Sequence, residues 1–256
     1  MATPMALRVL EGQARVYRHV WKGSLAFTFL NPVLYLAAMG LGLGTLVDQG
    51  PAGLEVPYLV FLAPGLLAAQ AMQVGTGDGS WPVLAGIKWT KSYHTALATP
   101  VGTGDLVNGH LGWVTVRLLM TAFAFVTVTA AFGAVELLPG LAAVAPAVLT
   151  GLAFAAPVTA YSATLKDATG LTALFRFGIV PIFLFSGTFF PVGQLPGWLQ
   201  PVAFLTPLWH GVELCRGVAL GTGTALHPAL HVGYLAAWFA VGWWLAARNL
   251  KRRLWV

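Results

Sequence analysis

The sequence predicts an all-α integral membrane protein with six transmembrane helices, an N-terminal amphipathic helix at the interface, re-entrant helices between spans five and six, and both termini cytoplasmic. Three observations carry that expectation. Hydrophobic residues make up 57% of the 256-residue chain and charged residues only 9%, and the mean hydropathy is +0.76. That leaves too little polar surface to coat a soluble globule. Six apolar runs are each long enough to cross a hydrocarbon core of about 30 Å. The basic residues, finally, gather in alternate connections.

Residues 1–22 come first. Leu7, Leu10, Ala14, Tyr17 and Trp21 recur at three- and four-residue spacing, with Arg8, Glu11, Arg15, Arg18 and Lys22 largely off that stripe. This is the pattern of an amphipathic helix lying on the membrane surface. The apolar runs follow at 23–47, 56–77, 106–132, 138–165, 170–190 and 228–247, so residues 23–256 form a single six-helix domain. The first run is too long for the apolar part of a signal peptide and is read as a retained span.

Orientation follows from Lys and Arg, which stay on the cytoplasmic side. The N-terminal segment holds four, the second loop two (Lys88, Lys91), the fourth loop region two (Lys166, Arg176) and the tail four (Arg248, Lys251, Arg252, Arg253), so twelve of the fourteen lie on one face. The first and third loops carry only Asp48, Glu55 and Glu136. Residues 191–226 are apolar enough to mimic a seventh span, but Pro191, Pro196, Pro201 and Pro207 interrupt them, and a seventh crossing would put the tail outside. The expectation is two short helices dipping into the outer leaflet as a re-entrant cap over about 191–216, with Trp198 and Trp209 at the interface. Helical spans in a composition rich in Ala, Gly, Val and Trp point to a bacterial cytoplasmic (inner) membrane.

Several chemistries are excluded. No lysine follows a glycine as a nucleotide-phosphate loop demands, so the chain does not hydrolyse ATP alone. Gly40, Gly42 and Gly44 lie within a span and suit helix packing. The basic residues flank apolar runs and form no patch for nucleic acid. Cys215 is the single cysteine, and no metal site is expected. His227 and His231, four apart, read as an interfacial polar pair.

The second cytoplasmic loop carries the most information. Ala85 to Ala98 form a short helix parallel to the membrane, stopped by Thr99-Pro100. Lys88, Lys91, Tyr93 and His94 give it a polar side, and Ile87, Trp89 and Leu97 anchor it. Such a knob either docks into a groove on a soluble partner or is an ordinary interfacial loop helix. Arg117 lies about twelve residues into span three, roughly 18 Å along a helix, and either lines a substrate path or pairs with a neighbouring helix. Arg176, nearer the cytoplasmic end of span five, reaches the surface. Glu213 and Arg216 are spaced to pair on one helix face.

The stretch Lys91 to Arg117, with Ala98-Thr99-Pro100, Asp105, Val107, Gly109, Trp113 and Arg117, resembles the loop and third span of type-2 ABC exporter permeases. Within that family it is most similar to the nodulation-factor (lipo-oligosaccharide) exporter and daunorubicin-resistance permeases. A second block matches too: Phe185-Ser186-Gly187, Phe190-Pro191-Val192, Gln194-Leu195-Pro196, Pro207-Leu208, His210 and Arg216. The resemblance implies that about 85–100 is a coupling helix whose Lys91, Tyr93, His94, Leu97, Ala98, Thr99 and Pro100 meet a soluble nucleotide-binding ATPase subunit, present in two copies. It implies that residues 4–22 are the connecting helix beside it, and that Phe190, Pro191, Leu195, Pro196, Trp198, Glu213 and Arg216 belong to the re-entrant cap. ATP and Mg would be held by that partner and no cofactor by this chain. Family loops often carry an early acidic residue, whereas here only Asp78 precedes the helix, either ending span two or meeting the partner.

The function expected is export of an amphipathic substrate, a lipid-linked saccharide, lipid or hydrophobic drug, by two permease chains forming a homodimer or a related heterodimer in the lipid bilayer. An ion-coupled secondary transporter is the alternative, and it needs carboxylates near mid-membrane, for which only Glu213 and Asp78 offer themselves. A membrane enzyme needs a cluster of acids, bases or metal ligands at one depth, and none is apparent.

Overall fold

In the computed structural model, which describes residues 4–44, 47 and 56–254, every regular element among the described residues is helical. Asp48 and Glu55 of the first loop lie outside the described residues. Helix α1 (Met5–Tyr35) runs on into a π-helical stretch at Leu36–Leu43. The boundary predicted at residues 22–23 is therefore absent. Between Met5 and Tyr35 the only proline is Pro32, so nothing breaks the backbone hydrogen bonding where the polar stripe gives way to apolar sequence.

Helix α2 (Tyr58–Gly79) starts directly after Pro57, whose carbonyl accepts from Val60 and Phe61. It ends at Ser80, which leaves helical geometry (φ −102°, ψ −96°). Two short helices follow, α3 (Trp81–Lys88) and α4 (Ser92–Leu97). The single helix predicted over 85–98 is thus a hairpin of two. Its turn is made by Lys91 in the left-handed region (φ 53°), and the Tyr93 ring packs on Gly86, where even a Cβ would come within 2.9 Å.

Helix α5 (Thr103–Ala131) is capped by Asp105, whose carboxylate accepts from the Gly102 N–H at 3.1 Å, a charge placed favourably at the helix N-terminus. Next come α6 (Leu137–Ala142), α7 (Val144–Ser162) and α8 (Thr169–Leu174). A π turn at Phe175–Ile179 leads into α9 (Val180–Phe185). Pro146 stands in the first turn of α7, where no intrahelical bond is lost. Pro157 lies mid-helix, and the bare Gly242 backbone is packed against its ring.

The predicted cap contains a 3-10 turn (Val192–Gln194), α10 (Gln200–Phe204) and α11 (Pro207–Leu220). Thr206 caps α11 by accepting from the Trp209 N–H, Pro207 opens it, and Gly221 (φ 65°) stops it. Its fourteen residues reach only about 21 Å, too short to cross. Helix α12 (Pro228–Leu254) ends with Lys251, Arg252 and Arg253 in its last turn.

Among the described residues, four helical stretches, 58–88 (α2 with α3), 103–131 (α5), 137–162 (α6 with α7) and 228–254 (α12), are long and apolar enough to cross a membrane. Runs one and five appear as shorter apolar helical stretches, Thr28–Met39 and Thr169–Phe185. Helix α7 is the hub, packed on α2, α5, α11 and α12, while α1 lies along α5. Large apolar side chains remain on the outside, among them Phe123, Phe177, Leu184, Trp238, Val241 and Trp244. A water-soluble monomer does not carry an apolar belt of that kind. This is a multi-pass membrane protein.

Candidate coupling and transport site

The 81–97 hairpin is held rigidly from within. Val83, Leu84, Ile87 and Tyr93 are buried, and Lys88 Nζ donates to the Lys166 carbonyl at 2.8 Å. Burial pushes the Tyr93 hydroxyl pKa up, so this side chain is a neutral core group and not part of a polar face. Trp89, predicted as an anchor, is 57% exposed. Leu97 and Ala96 lean on the core. What the hairpin presents outward is Trp89, Lys91, His94, Ala98, Thr99 and Pro100. Beside it, the Asp167 carboxylate is held below the usual range by the hydrogen bond it accepts from Thr169 N.

Above the hairpin, Arg117 Nε meets Asp78 Oδ2 at 3.3 Å. Asp78 belongs to the last turn of α2, so the guanidinium sits at the level where α2 ends. Of the two roles open to Arg117, the structure supplies the neighbouring-helix partner, and it likewise pairs Asp78 within the chain. The resembling block reads as a seat: Asp105, Gly109, Trp113 and Arg117 recur every four residues along α5. Gly109 lets Val9 and Ala6 of α1 approach so closely that a Cβ would fall 2.5 Å from the Val9 Cβ. Trp113 meets Tyr17 edge-on at 5.3 Å, Arg117 lies 5.3 Å from the Tyr17 ring centre, and Gln13 reaches His110 Nδ1 at 3.2 Å. Gln13 and His110 escaped sequence reasoning. The four-residue spacing of the α5 positions was the available signal, but its partner helix was not identifiable from it.

The second block builds the broken segment predicted as the cap. Arg216 pairs with Glu213 (3.8 Å), donates to the Gly187 carbonyl (3.0 Å) and lies over the Phe61 ring of α2 at 3.9 Å. Gly187 adopts φ 79°, a conformation that favours glycine. Ser186 Oγ reaches Thr206 Oγ1 at 2.8 Å, and Gln200 donates to the Leu195 carbonyl at 2.9 Å. Val192, Leu195, Ala203 and Trp209 form a small core, with Phe190 against it. Pro191 and Pro196 frame the 3-10 turn, and their carbonyls accept from Gln194 and Leu199.

Trp198 is exposed, but Trp209 is buried and contacts the rings of Phe204, His210 and His231. The expected His227–His231 pair does not form. His231 turns inward to His210 (Nδ1 to Nδ1, 2.8 Å), which stacks on Tyr234, while His227 accepts from the Ala229 N–H. Burial, which a four-residue spacing does not reveal, decides between the two faces of the helix.

Arg176 lies exposed on the π turn. A cavity of about 330 Å³ opens between α5, α7 and α12, lined by Asn108, Leu111, Thr115, Leu152, Phe239 and Trp243. It touches neither Arg117 nor the hairpin. The two carboxylates considered for ion coupling, Asp78 and Glu213, both stand in ion pairs. Among the described residues, no three His, Cys, Asp or Glu side chains converge as a metal site.

The sequence pattern of the ABC-2 type transporter family matches residues 9–220, which takes in the hairpin, the α5 seat and the cap. The chain belongs to the ABC-2 type transporter family. It is 31% identical over 238 residues to Nodulation protein J of Rhizobium meliloti (strain 1021), covering 93% of this chain and 89% of that one. It is 32% identical over 242 residues to Nodulation protein J of Rhizobium leguminosarum bv. trifolii, covering 91% and 89%. A third relative, Nodulation protein J of Neorhizobium galegae, is 31% identical over 245 residues. Family membership makes the chain a transmembrane permease, and the coverage means that both motif blocks fall inside the shared region.

Proposed function

We propose that this chain is the membrane permease of an ATP-driven exporter in a bacterial cytoplasmic membrane. It crosses six times, with the Thr28–Met39 and Thr169–Phe185 stretches as parts of spans one and five, and both termini face the cytoplasm. Two copies of a separate soluble ATPase subunit bind ATP and Mg and dock on the 81–97 hairpins of two permease chains. The substrate is amphipathic, a lipid-linked saccharide, a lipid or a hydrophobic drug, and passes between the two chains. The apolar, aromatic-rich spans support that class over a small hydrophilic solute.

The observation that carries this reading is the hairpin. It is too short to span, braced against the body by Tyr93 and Lys88, and exposed at Trp89, Lys91 and His94. A rigid projection between two membrane helices converts a push from a partner into movement of those helices. The test is recovery of the tagged protein from native membranes in mild detergent, wild type beside Trp89→Asp, with the eluate assayed for a bound ATPase. Leu97→Asp is the poorer variant because Leu97 packs on the core. Capture with wild type and at least tenfold less with Trp89→Asp is expected. Wild type that brings down no ATPase refutes the proposal.

A further inference from the structure

We propose that the Asp78–Arg117 ion pair, with Tyr17 against the guanidinium, is the positioning element that ties movement of the 81–97 hairpin to the N-terminal helix, so that α1 swings with the hairpin and not with α7 and α12. The proposal rests on the reading of the hairpin as the ATPase docking element.

The connection between α2 and α3 is a single non-helical residue, Ser80. Any tilt of the hairpin turns there, and the residues just before it are fixed in two directions. Ser162 Oγ of α7 donates to the Gly79 carbonyl at 2.9 Å, a neutral buried bond. Asp78, one residue earlier, instead reaches α5 through Arg117 at 3.3 Å, with its Oδ2 atom buried. The buried bond anchors the end of α2 to the hub. The charged pair leads to α5 and, through Arg117 and Tyr17, on to α1.

Arg117 is itself seated on α1 by the Tyr17 ring, 5.3 Å below its guanidinium carbon, and Tyr17 is gripped in turn by Trp113. Over the preceding turns Gly109 admits Val9 and Ala6 where any Cβ would clash with them, and Gln13 reaches His110. The principal neighbour of α1 is therefore α5. A displacement of Asp78 is transmitted through the Arg117 ion pair and the Tyr17 ring contact to a helix packed chiefly along α5. Small shifts of packed helices, of about 1–2 Å, are the usual scale of such relays.

The experiment uses the permease with its ATPase subunit in Cys215→Ala background, nitroxide-labelled at Val16→Cys on α1 and Val241→Cys on α12, both exposed sites. The α1–α12 distance is measured by pulsed electron paramagnetic resonance without nucleotide and after trapping with ATP and vanadate. In otherwise wild-type complex the mean distance is expected to shift by about 2 Å. Asp78→Asn is expected to abolish the shift while ATPase capture and the size-exclusion profile stay unchanged. The charge exchange Asp78→Arg with Arg117→Asp is expected to restore at least half of it. Tyr17→Leu, which leaves the ion pair intact, is expected to abolish it as well and serves if Asp78→Asn does not fold.

A shift that persists in Asp78→Asn or Tyr17→Leu overturns the proposal, as does a wild-type complex with bound ATPase and no shift. Failure of wild type to bind an ATPase overturns the docking reading itself, a distinguishable outcome.

Discussion

Replacing Gly75 by alanine adds one methyl group where α2 crosses α7. A Cβ at Gly75 lies 2.1 Å from the Gly151 carbonyl oxygen and 2.9 Å from its carbonyl carbon. Carbon and oxygen in contact sit about 3.3 Å apart, so the two backbones must separate by roughly 1 Å. No rotamer change relieves the clash, because both partners are main chain. Nor is α7 free to retreat, since Pro157 on it packs directly against the Gly242 backbone of α12. The cost falls at the upper end of the overpacking range, about 3 kcal/mol, which lowers the melting temperature by roughly 10 °C in a chain of this size. Gly77→Ala is the internal control: it is two residues away in the same helix, a Cβ there meets nothing within 4 Å, and alanine is better than glycine in a helix by about 1 kcal/mol. Thermal unfolding in detergent, followed by size-exclusion recovery, should show Gly75→Ala well below wild type and Gly77→Ala level with it or above. Equal behaviour of the two variants would refute the close crossing as the reason for glycine.

Two further outcomes follow from the cap and the buried histidines. Gly187→Ala forces a side chain into φ 79° with its Cβ 3.0 Å from Val192 Cγ2. A loss of about 2 kcal/mol is expected in the same assay, with no change for Gly197→Ala, where a Cβ meets open space. His210→Leu and His231→Leu each leave one imidazole without its 2.8 Å partner and should cost about 1–3 kcal/mol. The double variant should fall short of the sum by about 1 kcal/mol or more, and strict additivity would exclude the pairing.

Hydropathy and charge on their own determined where the chain leaves water. The predicted runs 56–77, 106–132, 138–165 and 228–247 appear as helices Tyr58–Gly79, Thr103–Ala131, Leu137–Ser162 and Pro228–Leu254. Four prolines in 191–207 foretold the broken, short helices there, and Glu213 and Arg216 pair as their spacing required. These are local quantities: a transfer energy summed over one segment, a missing N–H, an (i, i+3) reach. Only the tertiary structure decided which neighbour each segment meets. It runs α1 through residue 22 without a break, folds 81–97 into two helices around a buried Tyr93, joins Asp78 to Arg117, and turns His231 away from His227 toward His210. The reason is that apolar burial is non-directional. It specifies that a face must be covered, whereas the identity of what covers it comes from close backbone approach at Gly75, Gly86, Gly109 and Gly242 and from the few polar groups that then find one another across helices far apart in sequence.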